Sequence, residues 1–110
     1  MAEALRDVAA TLEGLYVEFA RQKTARPESS KVAALLRQDV RKIAKKLGEE
    51  AVETAMAAAA GSKADVIAES SDLLFRLLVL WAKVGIEPAQ VMADLMARHR
   101  SKAAAVARPS

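Results

Sequence analysis

Residues 31–62 read KVAALLRQDVRKIAKKLGEEAVETAMAAAAGS, and the way this stretch folds decides the rest of the molecule. Leu36, Val40, Ile43 and Leu47 recur at spacings of three and four, which draws one apolar stripe along a helix. The surrounding Ala, Lys, Arg, Glu and Leu are strong helix formers. The pattern predicts one helix from Lys31 to Ala60, roughly 45 Å long at ~1.5 Å per residue. Ser29 or Ser30 can cap its start, and Gly61-Ser62 ends it, as a glycine after a last turn commonly does. Gly48 sits inside at a cost of about 1 kcal/mol relative to Ala. It would be tolerated there, or would let a substrate or partner helix approach the backbone.

Working outward, a first helix is expected from Glu3 to Gln22, with Leu5, Val8, Leu12, Leu15 and Phe19 on its stripe. Lys23–Ser30 is polar and holds Pro27, which disfavours helix at Arg26. A third helix is expected from Lys63 to Lys83. Val66, Leu73, Leu74, Leu77, Leu78, Leu80 and Trp81 make it apolar around much of its girth, as suits a bundle interior or subunit interface. Pro88 starts a short further helix with Val91, Met92, Leu95 and Met96 inward, and Ser101–Ser110 reads as a frayed tail. The expected fold is all-α: an antiparallel bundle of four to five helices in residues 1–100, with residues 101–110 as a flexible tail. Because the third helix is apolar on several faces and the chain has only 110 residues to cover it, the bundle is expected to be completed by dimerisation.

The composition narrows the function. There is no cysteine, which excludes disulfides and thiolate metal sites and fits a reducing cytoplasm. A single histidine, His99, excludes His-rich metal sites and argues against a Ser-His-Asp triad; near a late helical turn it suits a surface residue facing the helix dipole. No apolar run is long enough to span a membrane, and no signal-peptide pattern stands at Met1–Ala10. The net charge of +3 invites a nucleic-acid partner. However, Lys102 and Arg108 lie in the acid-free last ten residues, which leaves 15 basic residues against 14 acidic ones in the rest. The folded part is nearly balanced.

The acids carry the functional signal. One step beyond Leu47 on the same stripe is Glu50, with Glu53 three further and Glu49 beside it. On the third helix Glu69 falls between Val66 and Leu73 on the apolar stripe, and Asp72 is three beyond. Glu53 lies eight residues before Gly61, and Glu69 seven after Ser62. An antiparallel hairpin therefore sets the two pairs at matching heights. A lone Glu-x2-Glu is ordinarily a solvated helix face; two acidic pairs on apolar stripes at matching heights are less ordinary, and spacing alone leaves a metal site and a solvated face both open. Two like charges ~4 Å apart repel by about 4 kcal/mol at an effective dielectric of 20. Such a cluster must take up protons, find Lys or Arg, or hold a cation. Oxygen-only ligands favour a hard cation, and Mg²⁺ joins one or two carboxylates to substrate phosphates.

The segment Lys45-Lys46-Leu47-Gly48-Glu49-Glu50-Ala51-Val52-Glu53, followed by Glu69-Ser70-Ser71-Asp72-Leu73-Leu74-Phe75, resembles phosphoribosyl-ATP pyrophosphatase, a family of the all-α, MazG-like NTP pyrophosphatase superfamily. The likeness extends back to Leu12–Tyr16 and forward to Gly85–His99. It implies hydrolysis of phosphoribosyl-ATP to phosphoribosyl-AMP and pyrophosphate in histidine biosynthesis, by a Mg²⁺-dependent dimer. By motif position it implies Glu50, Glu53, Glu69 and Asp72 as metal ligands. Glu49 and Glu50 become the catalytic acids, with Glu49 behind the ligands or positioning the attacking water. Two departures stand outside these acids. Ser30-Lys31-Val32 replaces a frequent Ser-Tyr-Thr, and Phe75-Arg76 replaces a frequent Tyr-His. They bear on substrate identity, and Arg76, four after Asp72, could pair with it in competition with a metal.

Arg41, Lys42, Lys45 and Lys46 precede the acids. Such a run is commonly a solvated face, but Lys42, Lys45 or Lys46 could meet the phosphates of an anionic substrate drawn to an acidic patch. Trp81 and the four Met read as core or interface. Two other functions compete: a pyrophosphohydrolase of another nucleoside triphosphate, and an inactive helical dimerisation or nucleic-acid-binding module. The carboxylates argue against the latter, since without metal they repel nucleic-acid phosphates.

Overall fold

The computed structural model describes residues 7–107. Five α-helices follow one another: α1 Val8–Arg21, α2 Lys31–Leu36, α3 Val40–Ala60, α4 Lys63–Val84 and α5 Pro88–Ala107. Two 3-10 turns, Gln22–Thr24 and Pro27–Ser29, lie between α1 and α2. No strand occurs among the described residues, so the fold is all-α as expected.

Helix α1 begins where Asp7 caps it, its Oδ1 accepting from the Ala10 N–H at 2.9 Å. The expected start at Glu3, and Leu5 with it, lie outside the described residues. The buried face is also turned by one residue from the expected stripe. Tyr16 and Phe19 are buried and Leu12 half-buried, while Val8 and Leu15 stay exposed. Leu12, Tyr16 and Phe19 share a face as i, i+4 and i+7, and the aromatic ring at position 16 buries more area than a leucine at 15.

The single helix expected over Lys31–Ala60 is in fact two. Ser30, not Ser29, caps α2, accepting from the Ala33 N–H at 3.0 Å while its own hydroxyl donates to Gln22 Oε1 at 3.0 Å. The chain leaves the helix at Arg37 and restarts at Asp39, whose Oδ1 accepts from the Arg41 N–H at 2.8 Å. A C-terminal carbonyl freed by this break needs a partner. Lys83 Nζ supplies one by donating to the Leu36 carbonyl at 2.9 Å. The bend lets Leu35, Leu36 and Ile43 all enter the core.

Helices α3 and α4 form the antiparallel hairpin that dominates the fold. Gly61 takes φ +82°, a left-handed conformation at which an L side chain is strained, and Ser62 then caps α4 through the Asp65 N–H at 3.2 Å. Gly85 ends α4 at φ +78°, with its own N–H and that of Ile86 both donating to the Trp81 carbonyl at 2.9 Å. The core lies at the end of the hairpin away from Gly61: Tyr16, Phe19, Leu35, Leu36, Ile43, Leu78, Val79, Trp81 and Ala82. Helix α5 is longer than expected, its backbone running on through Ser101–Ala107, and of its four expected inward residues only Val91 is half-buried. Met92, Leu95 and Met96 are exposed. No described helix is long and apolar enough to cross a membrane.

Candidate metal centre

Glu50 continues the stripe that carries Ile43 and Leu47 into the hairpin seam, and its side chain is only 7% exposed. From the facing helix, Glu69 is half-buried and Asp72 exposed. One carboxylate oxygen from each of Glu50, Glu69 and Asp72 lies within 4.8 Å of the others. Glu50 Oε2 and Glu69 Oε2 are both buried, with no hydrogen-bond partner among the described residues. The Thr54 hydroxyl donates to the Glu50 backbone carbonyl at 2.8 Å and so does nothing for its carboxylate.

Burial, with the negative charges of Glu53 and Asp72, raises the Glu50 pKa above its ordinary 4.5, against a smaller lowering by Lys46. Glu53 stands outside the three-carboxylate group; exposed one turn along α3, it acts on Glu50 through its charge and through a side-chain hydrogen bond that favours the protonated form. Glu49 is turned away to Lys46, 3.4 Å distant. The ion pairs of the described residues are this one, Arg21–Glu18 and Arg98–Asp94, so no cation neutralises the group by direct contact.

These features fit a bound cation. Unpaired buried carboxylate oxygens cost free energy that protonation or a cation can offset. The donor set is oxygen only, which matches the preference of Mg²⁺ and Ca²⁺.

Beside the acids, a cavity of about 310 Å³ is lined by Leu35, Gln38, Lys42, Lys45, Lys46, Glu49 and Arg76. The three lysines picked out in the sequence therefore face one space, while Arg41 does not border it. Arg76 forms no ion pair with Asp72; its guanidinium lies 5.5 Å from the centre of the Phe75 ring. Its place on the cavity wall was missed in the sequence, although spacing carried the signal. Arg76 follows Glu69 by seven residues and Asp72 by four, so it shares their helix face. Gly48 faces open space, and a methyl group there would meet nothing of this chain within 4 Å.

An all-α chain with three carboxylates converging across one helical hairpin, beside a cationic cavity, has the parts of a metal-assisted phosphohydrolase. The family model for phosphoribosyl-ATP pyrophosphohydrolase matches residues 12–99, which take in both acidic helices and the cavity, and the chain belongs to that family. The phosphoribosyl-ATP pyrophosphatase of Azospirillum brasilense is 49% identical over 90 residues, 82% of this chain and 81% of that protein. That of Paramagnetospirillum magneticum is 48% identical over 87 residues, 79% of this chain and 80% of its own length. The histidine biosynthesis bifunctional protein HisIE of Vibrio cholerae is 44% identical over 82 residues, 74% of this chain but 39% of that longer protein.

Proposed function

We propose that this protein hydrolyses phosphoribosyl-ATP to phosphoribosyl-AMP and pyrophosphate in histidine biosynthesis, with Mg²⁺ as cofactor, as a cytoplasmic homodimer. The observation that carries the reading is the meeting of Glu50, Glu69 and Asp72, two of them with buried oxygens left without a partner. Family membership supplies the substrate class.

Glu50, Glu69 and Asp72 would hold the cation, with Glu53 as a fourth ligand from the edge. When bound, it supplies charge neutralisation to the phosphates and the departing pyrophosphate. Glu49 borders the cavity and there accepts a proton from the attacking water. The water oxygen forms a bond to the α-phosphorus, and the bond from that phosphorus to the oxygen bridging to the β-phosphoryl group breaks. Lys42, Lys45 and Lys46 face the same space and draw in the polyanionic substrate. Dimerisation would cover apolar side chains that one chain leaves open, among them Val52, Met56, Ile67 and Leu95.

The test is pyrophosphate release from phosphoribosyl-ATP beside a panel of nucleoside triphosphates, with Mg²⁺ and with chelator. Release from phosphoribosyl-ATP alone, lost on chelation, is expected. Equal or faster release from an ordinary triphosphate would move the substrate to the wider class, and release indifferent to chelation would sink the metal assignment.

A further inference from the structure

The two places where this chain departs from the pattern it resembles meet in space. Lys31 Nζ lies 5.4 Å from the centre of the Phe75 ring, and the Arg76 guanidinium lies 5.5 Å from it. The ring is itself held edge-on against Phe19, with centroids 5.4 Å apart and planes at 75°. Arg76 is thus a half-buried cation steered by an anchored ring. Its other surroundings are cationic. Four positive side chains line the cavity, and its one acid, Glu49, is paired with Lys46. Lys42, Lys45 and Arg76 take part in none of the ion pairs of the described residues. The half-buried guanidinium on one helix and two exposed lysines on the other border one space in which the single acid is already paired, and this suits an anionic ligand. The cavity is some tenfold larger than the ~30 Å³ share of one liquid water, which leaves room for a phosphate group.

We propose that Arg76 contacts a phosphate group of the substrate, closing with Lys42 and Lys45 a cationic cavity beside the carboxylates. This rests on the hydrolase reading above and adds to it a recognition residue on the opposite helix from the lysines. Because Glu49 borders the cavity and its neighbour Glu50 belongs to the carboxylate group, the phosphate bound here lies beside the carboxylates. The planar guanidinium can donate two parallel hydrogen bonds to phosphate oxygens, which the lysines cannot. The phosphate has three sources in such a substrate: the departing pyrophosphate, the monophosphate on the second ribose, or the phosphate under attack.

Isothermal titration of the Mg²⁺-loaded protein separates them. Inorganic pyrophosphate and phosphoribosyl-AMP are titrated into wild type, Arg76→Gln and Arg76→Lys, with thermal midpoints measured alongside. Arg76→Gln should weaken one of the two ligands by roughly ten- to a hundredfold, the worth of a charged hydrogen-bonded pair, and Arg76→Lys should recover part of it. Loss confined to pyrophosphate assigns the leaving group to the cavity; loss for phosphoribosyl-AMP that is not matched by AMP, titrated as the control lacking the second ribose, assigns the ribose phosphate, and an equal loss for AMP assigns the phosphate under attack. If Arg76→Gln is folded and binds both within twofold of wild type, the inference fails while the hydrolase reading stands. If wild type binds neither ligand, the hydrolase reading fails and takes the inference with it. Should Arg76→Gln not fold, the exposed pair Lys42→Gln with Lys45→Gln reads the same cavity. An unchanged affinity there overturns the proposal, and a tenfold loss for one ligand supports it.

Discussion

The two ends of the α3–α4 hairpin follow the same helical pattern and end in opposite states. At the end away from Gly61, Ile43, Leu78, Val79, Trp81 and Ala82 are sealed under α1 and α2. Toward Gly61, no residue from Ala51 to Leu77 is buried, and Ile67 is 72% exposed. Glu50 is the last buried residue before the turn. The shape reflects this. The radius of gyration is 16.6 Å and the longest extent 58 Å, where a compact chain of this size would have a radius near ~13 Å. An apolar stripe states which face of a helix avoids water but not what covers it. One end is covered by this chain and the other is open, with the carboxylates on the border; in the proposed dimer a second copy would cover the open end. There Glu50 is dry enough to be strained and Asp72 open enough to meet a nucleotide.

The largest effect expected from this contrast is in the core. Leu78 is 2% exposed, and Leu78→Ala should cost ~2–5 kcal/mol, since the cavity left behind cannot collapse fully. Ile67→Ala, at a concentration low enough to keep the chain monomeric, should stay within ~0.5 kcal/mol. Chemical denaturation of both variants measures this. Similar losses at the two positions would erase the distinction between the ends.

Next comes association. Wild type should scatter light as a dimer of the 11.8 kDa chain, whereas the double variant Met56→Lys with Ile67→Lys should be monomeric at micromolar concentration. The core end should keep its cooperative unfolding in that monomer. A double variant that remains dimeric would move the interface elsewhere, with the exposed Met92, Leu95 and Met96 of α5 as the next surface to test.

How far the contrast was legible from the sequence differs by element. Gly61-Ser62, Gly85 and Pro88 punctuate the chain by backbone chemistry, so α4 and the hairpin were readable within a residue. The break at Arg37–Asp39 was not, because neither Gly nor Pro marks it. It is made by the Asp39 cap and by a Lys83 hydrogen bond from 47 residues away, which no local pattern displays. The choice of Tyr16 over Leu15 for the core depends on the angle at which α1 meets α4. At the site, spacing alone foresaw that Glu50, Glu69 and Asp72 share a seam. It did not foresee that Glu53 would stand outside their group, or that Arg76 would face the lysines rather than Asp72. Those outcomes depend on rotamers and on the Phe75 ring, whose position is settled by Phe19 on another helix.

A smaller effect on stability, though a total one on function, is expected at the border. Glu50→Gln should abolish Mg²⁺-dependent hydrolysis and raise the thermal midpoint of the metal-free protein, because it removes one charge from an unpaired cluster. The pH dependence follows from the raised pKa of Glu50. In the window above 4.5 the folded state holds a proton that the unfolded state has released, so this group's contribution to stability is greatest at low pH and falls as pH rises through the folded pKa. The midpoint of the metal-free wild type should therefore decline more steeply with pH across that window than that of Glu50→Gln. Added Mg²⁺ should stabilise wild type by mass action and the variant less. Normal turnover by Glu50→Gln, or a marked fall in its metal-free midpoint, would make the cluster a structural ion network.

The smallest effect is expected at the end of α5. From Met92 to Lys102 every residue is exposed, and the helix touches the rest of the fold mainly through Pro88 and Val91. Such a segment is held by its own propensity, here by Ala97 and the Ala103–Ala105 run, and by the 2.6 Å Arg98–Asp94 pair. A chain ending at Arg100 keeps that pair and every described contact with the core. It should lose the circular-dichroism signal of the seven helical residues Ser101–Ala107. Its midpoint should move by less than about 3 °C, because surface changes alter stability within ~0.5 kcal/mol. Its turnover of phosphoribosyl-ATP should equal that of the full chain. Truncation also removes Lys102 and Arg108, two of the charges that make the chain basic. Turnover is therefore compared at two salt concentrations, to separate lost electrostatic attraction of the substrate from lost contact. If turnover falls at both while the midpoint holds, the last ten residues act at a site rather than in the fold. Because Met92–Lys102 of α5 are exposed on their own chain, that site would belong to a second copy in the proposed dimer, and the contrast between the hairpin's two ends would extend to a third region.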